Sequence, residues 1–199
     1  DARPVGALDG DSRQARVEGC SLWPLQETRP RAVFGTGDRK ADWLIIGEAP
    51  GREEDREGEP FVGRAGKLLT EMLFAAGYQR KDVYIANILK CRPPNNRDPS
   101  PEEVACCHAY LERQIELIQP VLILAVGRIA AHNLLHSDLQ VGRLRGRVHN
   151  YGDRQIPLIV TYHPAYLLRS PLEKRKVWQD LQLAQVVYKK HRVGASNNN

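Results

Sequence analysis

The chain has 199 residues, 42% hydrophobic and 27% charged, which suffices for one full-sized core and excludes a disordered tract, a collagen-like repeat and a disulfide-stapled miniprotein. Its longest aliphatic run, Val121–Val126, falls far short of the roughly 20 residues of a membrane helix, so a cytoplasmic protein with no membrane partner is expected. The net charge of +5 divides into 18 basic against 21 acidic side chains through Leu139 and 11 against 3 from Gln140 onward, a basic last third that is either a solvated face or the footprint of a polyanion such as nucleic acid.

In chain order, residues 1–19 are polar and aperiodic and are expected to be flexible, with one domain over 20–192 and a disordered tail over 193–199. Trp43–Ile46 reads as a buried strand running into Gly47-Glu48-Ala49-Pro50-Gly51. Apolar residues at 65, 68, 69, 72, 73 and 76 give Arg64–Tyr78 a helical period, which Gly77 can end. Val83–Ala86 is a second strand. Ser100, Pro101 and Glu103 spell a capping box for a helix reaching about Gln119. Val121–Ala125 is a third strand, followed by Gly127 and a short helix to Leu135. Leu158–Val160 is a fourth, ahead of the turn Tyr162–Ala165, and Leu172–Lys190 closes the chain as a basic amphipathic helix after Pro171. Apolar strands alternating with helices predict an α/β fold, a three-layer α/β/α sandwich around a parallel four-stranded sheet.

Ligands of such sheets bind beyond the carboxyl ends of the strands, where GEAPG, Asn87 and His163 would converge. Each has a simpler reading. GEAPG can be a tight strand-to-helix turn, and it lacks the Lys-Ser/Thr of a phosphate loop. Phe61, in Pro60-Phe61-Val62-Gly63, can be a core plug or a stacking platform. Asn87 can bond backbone or read a base edge, and His163 can be structural or catalytic. Cys20, Cys91, Cys106 and Cys107 contain no Cys-x-x-Cys pair, so buried thiols and metal ligands both remain open.

Three ordered blocks decide more than any single motif: GEAPGREED with PFVGRAGKLL, ANILKCRPPNNRDPSPEE, and VTYHPAYLLRSPLEKRKVWQDL. Together they resemble the family 4, iron–sulfur, uracil-DNA glycosylases over about residues 20–188. The resemblance implies a monomeric DNA-repair enzyme acting on uracil-containing DNA, which flips uracil out and hydrolyses its N-glycosidic bond. It implies a substrate pocket lined by Gly47, Glu48, Ala49, Pro50 and Gly51, with Phe61 stacking on the pyrimidine and Asn87 bonding its Watson–Crick edge. His163 would hydrogen-bond uracil O2 as negative charge develops. Ala49 stands where the best-known branch of the superfamily carries a water-activating Asp, so Glu54 is the substitute expected to orient water or the sugar cation, and Glu48, in the pocket lining, is the other carboxylate expected to act in catalysis. Arg145, Arg147, Tyr166, Arg169, Lys174 and Arg175 are the expected DNA contacts.

The family's 4Fe-4S cluster would be held by Cys20, Cys91 and Cys107, but its fourth ligand position is Trp23, which cannot ligate iron. Arg145-Gly146-Arg147-Val148-His149 resembles the place where a covalently uracil-trapping sister branch carries a reactive histidine. Covalent trapping, or a non-catalytic nucleic-acid-binding member of the same fold, is therefore the alternative function.

Overall fold

The computed structural model describes Val17 and residues 30–196. In chain order these form Thr36–Gly37 (β1), Trp43–Gly47 (β2), Arg52–Glu57 (α1), Arg64–Ala75 (α2), Tyr84–Asn87 (β3), Pro101–Ile118 (α3), Leu122–Val126 (β4), Arg128–Leu135 (α4), Val141–Leu144 (α5), Val148–Tyr151 (β5), Ile156–Thr161 (β6), Pro164–Arg169 (α6) and Lys174–Ser196 (α7). Apart from Val17, the segment expected to be flexible lies outside the described residues, as do Cys20, Trp23 and residues 197–199. Residues 193–196 of the expected tail belong to α7.

The strands form one sheet in the order β1-β3-β2-β4-β6-β5. The middle four are parallel and the two edges antiparallel. The expected four-stranded parallel sheet is thus the centre of a six-stranded mixed one. Neither edge strand carries an apolar run to announce it: β1 has two residues, and β5 alternates exposed and half-buried positions. Helix α1, also unforeseen, is wholly polar in sequence.

Every residue of the four parallel strands is buried, which is why each reads as a continuous apolar run. Alternate side chains serve opposite layers. Leu44, Ile46, Ile123, Ala125, Leu158 and Val160 pack with Leu111 and Ile115 of α3 and Ala130 and Leu134 of α4. Trp43, Ile45, Leu122, Leu124 and Ile159 pack with Leu69 and Leu73 of α2 and Val177, Leu181 and Ala184 of α7. The three-layer sandwich follows directly from this alternation. The capping box is formed as spelled: Ser100 Oγ accepts from Glu103 N, and Glu103 Oε2 accepts from Ser100 N at 2.8 Å. The same buried Glu103 carboxylate takes both arms of Arg97, fixing the loop ahead of α3.

One buried ion pair joins the C-terminal third. Asp180 of α7, fully buried, accepts from Arg145 Nε at 3.0 Å, Arg145 Nη2 at 2.8 Å and Thr161 Oγ1 at 2.8 Å. Arg145 Nη2 also donates to the Lys176 carbonyl at 2.7 Å. The pair ties the end of β6 to α7 and to the turn before β5. Asp180→Ala would leave the largely buried Arg145 charge uncompensated, so urea denaturation of that variant should show a loss of about 3 kcal/mol.

Candidate active site

The four parallel strands end on one side of the sheet, and the chain beyond them encloses a cavity of about 900 Å³. Glu48, Ala49, Pro50, Gly51, Glu54, Phe61, Asn87 and His163 line it, together with Tyr166 and Arg169, two of the residues expected to contact DNA. Gly47 lies beneath them. A Cβ at Gly47 would come within 2.5 Å of the Phe61 ring and 2.6 Å of Asn87 Oδ1, so glycine is what allows the two side chains to meet over the strand end.

Asn87 is buried, and its Oδ1 has no hydrogen-bond partner among the described residues. An acceptor left unsatisfied in a protein interior costs about 1–3 kcal/mol, a penalty that a ligand's N–H would remove. The backbone under it is held by Lys90, whose buried ammonium donates to the Asn87 carbonyl at 2.9 Å and to Gln114 Oε1 at 2.7 Å. Burial pushes the Lys90 pKa down to about 8. Nothing in the sequence marked Lys90, because a lysine beside Cys91 and Arg92 reads as part of a solvated basic loop.

Phe61 is buried against β2 with its backbone at φ 55°, a left-handed conformation that costs an aromatic residue on the order of 1–2 kcal/mol. Its ring lies 5.6 Å from that of His163, with 30° between their planes. His163 Nδ1 accepts from Ala165 N at 3.1 Å. An amide can only donate, so the imidazole proton resides on Nε2, which remains as the ring's donor towards the cavity. Gly127 (φ 94°) lets the end of β4 approach: a Cβ there would lie 2.9 Å from His163 Cβ. Burial lowers the His163 pKa to about 4, against an opposing pull from the Glu54 charge, and the ring is neutral near pH 7. Glu48 is raised above the ordinary carboxylate range, chiefly by burial and secondarily by Asp98, while Arg128 pulls it back. Asp98 and Arg128 pair across the cavity mouth, a rim contact that the sequence did not signal.

Two expectations are corrected. Glu54 was assigned to water or the sugar cation, but Oε1 accepts from Val62 N and Gly63 N, both at 2.9 Å, and Oε2 from Gly51 N at 3.1 Å. Its carboxylate is a clamp between the GEAPG loop and the Phe61 loop. Arg145 was assigned to DNA phosphate, but its guanidinium is committed to Asp180 and the Lys176 carbonyl. Arg147, Lys174 and Arg175 are exposed and lie outside the cavity lining, while Tyr166 and Arg169 are exposed at its margin. His149 does not line the cavity, and its Nε2 sits 2.7 Å from the Leu144 carbonyl.

Cys91 and Cys107 belong to one small cluster with Leu89, and Lys90 N donates to Cys107 Sγ at 3.5 Å. Two of the three expected metal-binding thiols are thus brought to one corner. No group of three or more potential metal donors forms among the described residues, which exclude Cys20.

A family profile described as the Uracil DNA glycosylase superfamily matches residues 34–182. The chain belongs to that superfamily. It is 46% identical over 172 residues to the Type-4 uracil-DNA glycosylase of Archaeoglobus fulgidus, spanning 83% of this chain and 86% of that one. It is 43% identical over 180 residues to the Type-4 enzyme of Thermotoga maritima, spanning 88% and 92%. A Type-5 uracil-DNA glycosylase of Thermus thermophilus matches over 120 residues at 37% identity, covering 53% of this chain and 54% of its own. The type-4 matches run through nearly the whole domain, and the chain is a member of that branch.

As pH falls, the unfolded chain protonates His163 near 6.5, whereas the folded chain does so only near 4. Folded stability from this residue is therefore lost between those values and levels off below them. An NMR titration should place the His163 midpoint near 4, and the acid-labile component of stability should be absent in His163→Asn.

Proposed function

We propose that this chain removes uracil from DNA by hydrolysing the N-glycosidic bond of a nucleotide flipped into the 900 Å³ cavity. The observation that carries this reading is the buried Asn87 Oδ1, unpartnered among the described residues and meeting the Phe61 ring over Gly47, with the His163 donor in the same cavity. Phe61 stacks on the pyrimidine face. Asn87 Oδ1 accepts from uracil N3–H while Nδ2 donates to O4. Cytosine presents the reversed pattern, so a fixed amide rejects it by about 1–3 kcal/mol.

In the reaction the C1′–N1 bond breaks with its electron pair going to uracil, and a water oxygen bonds C1′. The proton that the water loses ends on the departing uracil anion at N1, leaving an abasic sugar and neutral free uracil. His163 stays neutral and donates through Nε2 to O2 as that oxygen gains charge, an oxyanion-hole role that requires no prior protonation. Glu48, on the sugar side of the GEAPG loop, orients the water. Ala49 offers no base there, so leaving-group stabilisation supplies much of the rate.

Around the cavity, Tyr166 and Arg169 of α6 meet the DNA, while the exposed Arg147, Lys174 and Arg175 contact phosphates. Leu172, 84% exposed between Pro171 and these cations, suits the distorted duplex beside a flipped base. Among the described residues no helix is long and apolar enough to cross a membrane. Cys91 and Cys107, with Cys20, would supply three of the four ligands of a 4Fe-4S cluster, the fourth coming from a donor other than Trp23. When bound, that group would cross-link the loop after β3 to α3.

His163→Ala should lower uracil release from a labelled single-stranded oligonucleotide by about 10²–10³-fold, the cost of one oxyanion donor. Activity at the wild-type level in that variant would refute the assignment. Anaerobically purified protein should contain iron and show visible charge-transfer absorption, both reduced in Cys91→Ser.

A further inference from the structure

Phe61 provides the stacking surface in the reading above, yet its conformation is one that an aromatic residue abandons unless its surroundings impose it. The other non-glycine residues at positive φ among those described are Asn95, Asn96, Gln119, His136 and Gln155. Several of these are polar types that tolerate the region, and none stacks in the cavity. What imposes it on Phe61 is visible in the contacts of its two flanking peptide groups. Arg80, in the turn Arg80–Asp82 after α2, donates from Nη2 to the Pro60 carbonyl at 2.8 Å and from Nη1 to the Phe61 carbonyl at 3.1 Å. The first carbonyl belongs to the peptide before the Phe61 Cα and the second to the peptide after it. Holding both planes fixes φ and ψ of the residue between them.

The second peptide is also gripped at its other end, where Val62 N donates to Glu54 Oε1. Behind it, Gly66 of α2 packs so closely that a Cβ would lie 1.9 Å from the Phe61 carbonyl oxygen. Of the two peptides that flank the Phe61 Cα, Glu54 and Gly66 restrain the second and not the first. Arg80 is the residue that spans both, and it does so through the planar fork that lysine lacks.

We propose that Arg80 is a positioning residue for uracil excision: its two hydrogen bonds set the backbone of Phe61 and so the tilt of the ring on which the flipped base stacks. The proposal rests on Phe61 being the stacking platform. It predicts an effect confined to the base, because Arg80 itself does not line the cavity.

The test is a double-mutant cycle on the full chain with Arg80→Met, Phe61→Ala and the two combined. It is read by uracil release from a labelled oligonucleotide, by inhibition with free uracil, and by affinity for the same oligonucleotide lacking uracil. Arg80→Met should lower kcat/KM on the order of 10²-fold and weaken inhibition by uracil, with unchanged affinity for uracil-free DNA. In the Phe61→Ala background the same substitution should cost less than about 3-fold, since the ring it aims is gone. Arg80→Lys, which keeps the charge but reaches a single carbonyl, gives the same cycle with a smaller loss if the Met variant fails to fold. An active wild type with an unimpaired Arg80→Met would overturn the proposal, as would an equal loss with and without the Phe61 ring. A wild-type chain that releases no uracil would overturn the functional reading and this proposal with it.

Discussion

A side-chain carbonyl oxygen at the end of a buried strand, Asn87 Oδ1, is left without a hydrogen-bond partner among the described residues. Much of the surrounding structure is explained by the need to hold that oxygen in place. Lys90 and Gln114 fix the backbone beneath it, and glycine at 47 keeps the neighbouring strand from filling its space. Phe61 is forced into a left-handed conformation beside it, and His163 is seated against Gly127, just past the end of β4. A site in which several local preferences are violated together is one where the fold's stability has been spent on a ligand.

Charge is arranged with the same economy. The carboxylates of the GEAPG segment divide their work: Glu54 organises two loops through backbone amides, while Glu48 faces the cavity with its ionisation opposed by burial. The histidine is kept neutral by burial, which suits a donor to a developing anion better than an ion pair would. The positive side chains are sorted by burial. Arg145 and Arg80 act inside the protein as hydrogen-bond forks on a carboxylate and on carbonyls. Arg147, Arg169, Lys174 and Arg175 face solvent, where a polyanion can reach them.

Much of this was legible beforehand. The four central strands, the Ser100 cap and the carboxyl-end placement of Glu48, Asn87 and His163 follow from local patterns, since a buried parallel strand must be apolar throughout and a capped helix must start where its cap stands. The edge strands were not legible, because two-residue β1 and half-exposed β5 carry no periodic signal. Glu54 and Arg145 were given the right neighbourhood and the wrong task for a common reason. A charged residue near a site reads as a ligand contact until its hydrogen-bond partners are known, and all of those partners but Gly51 lie 8 to 35 residues away in the chain.

The sequence by itself determined the layered α/β architecture, the family, and which residue types stand at the strand ends, because these depend on local periodicity and on the order of short motifs. Only the tertiary structure decided what each charged group is for. It showed Glu54 and Arg80 as the two hands on the Phe61 loop, Arg145 as the partner of Asp180, and His163 as a neutral Nε2 donor. Those roles are set by burial and by contacts between distant segments, and no local pattern encodes the desolvation of a side chain or the direction in which its hydrogen bonds point.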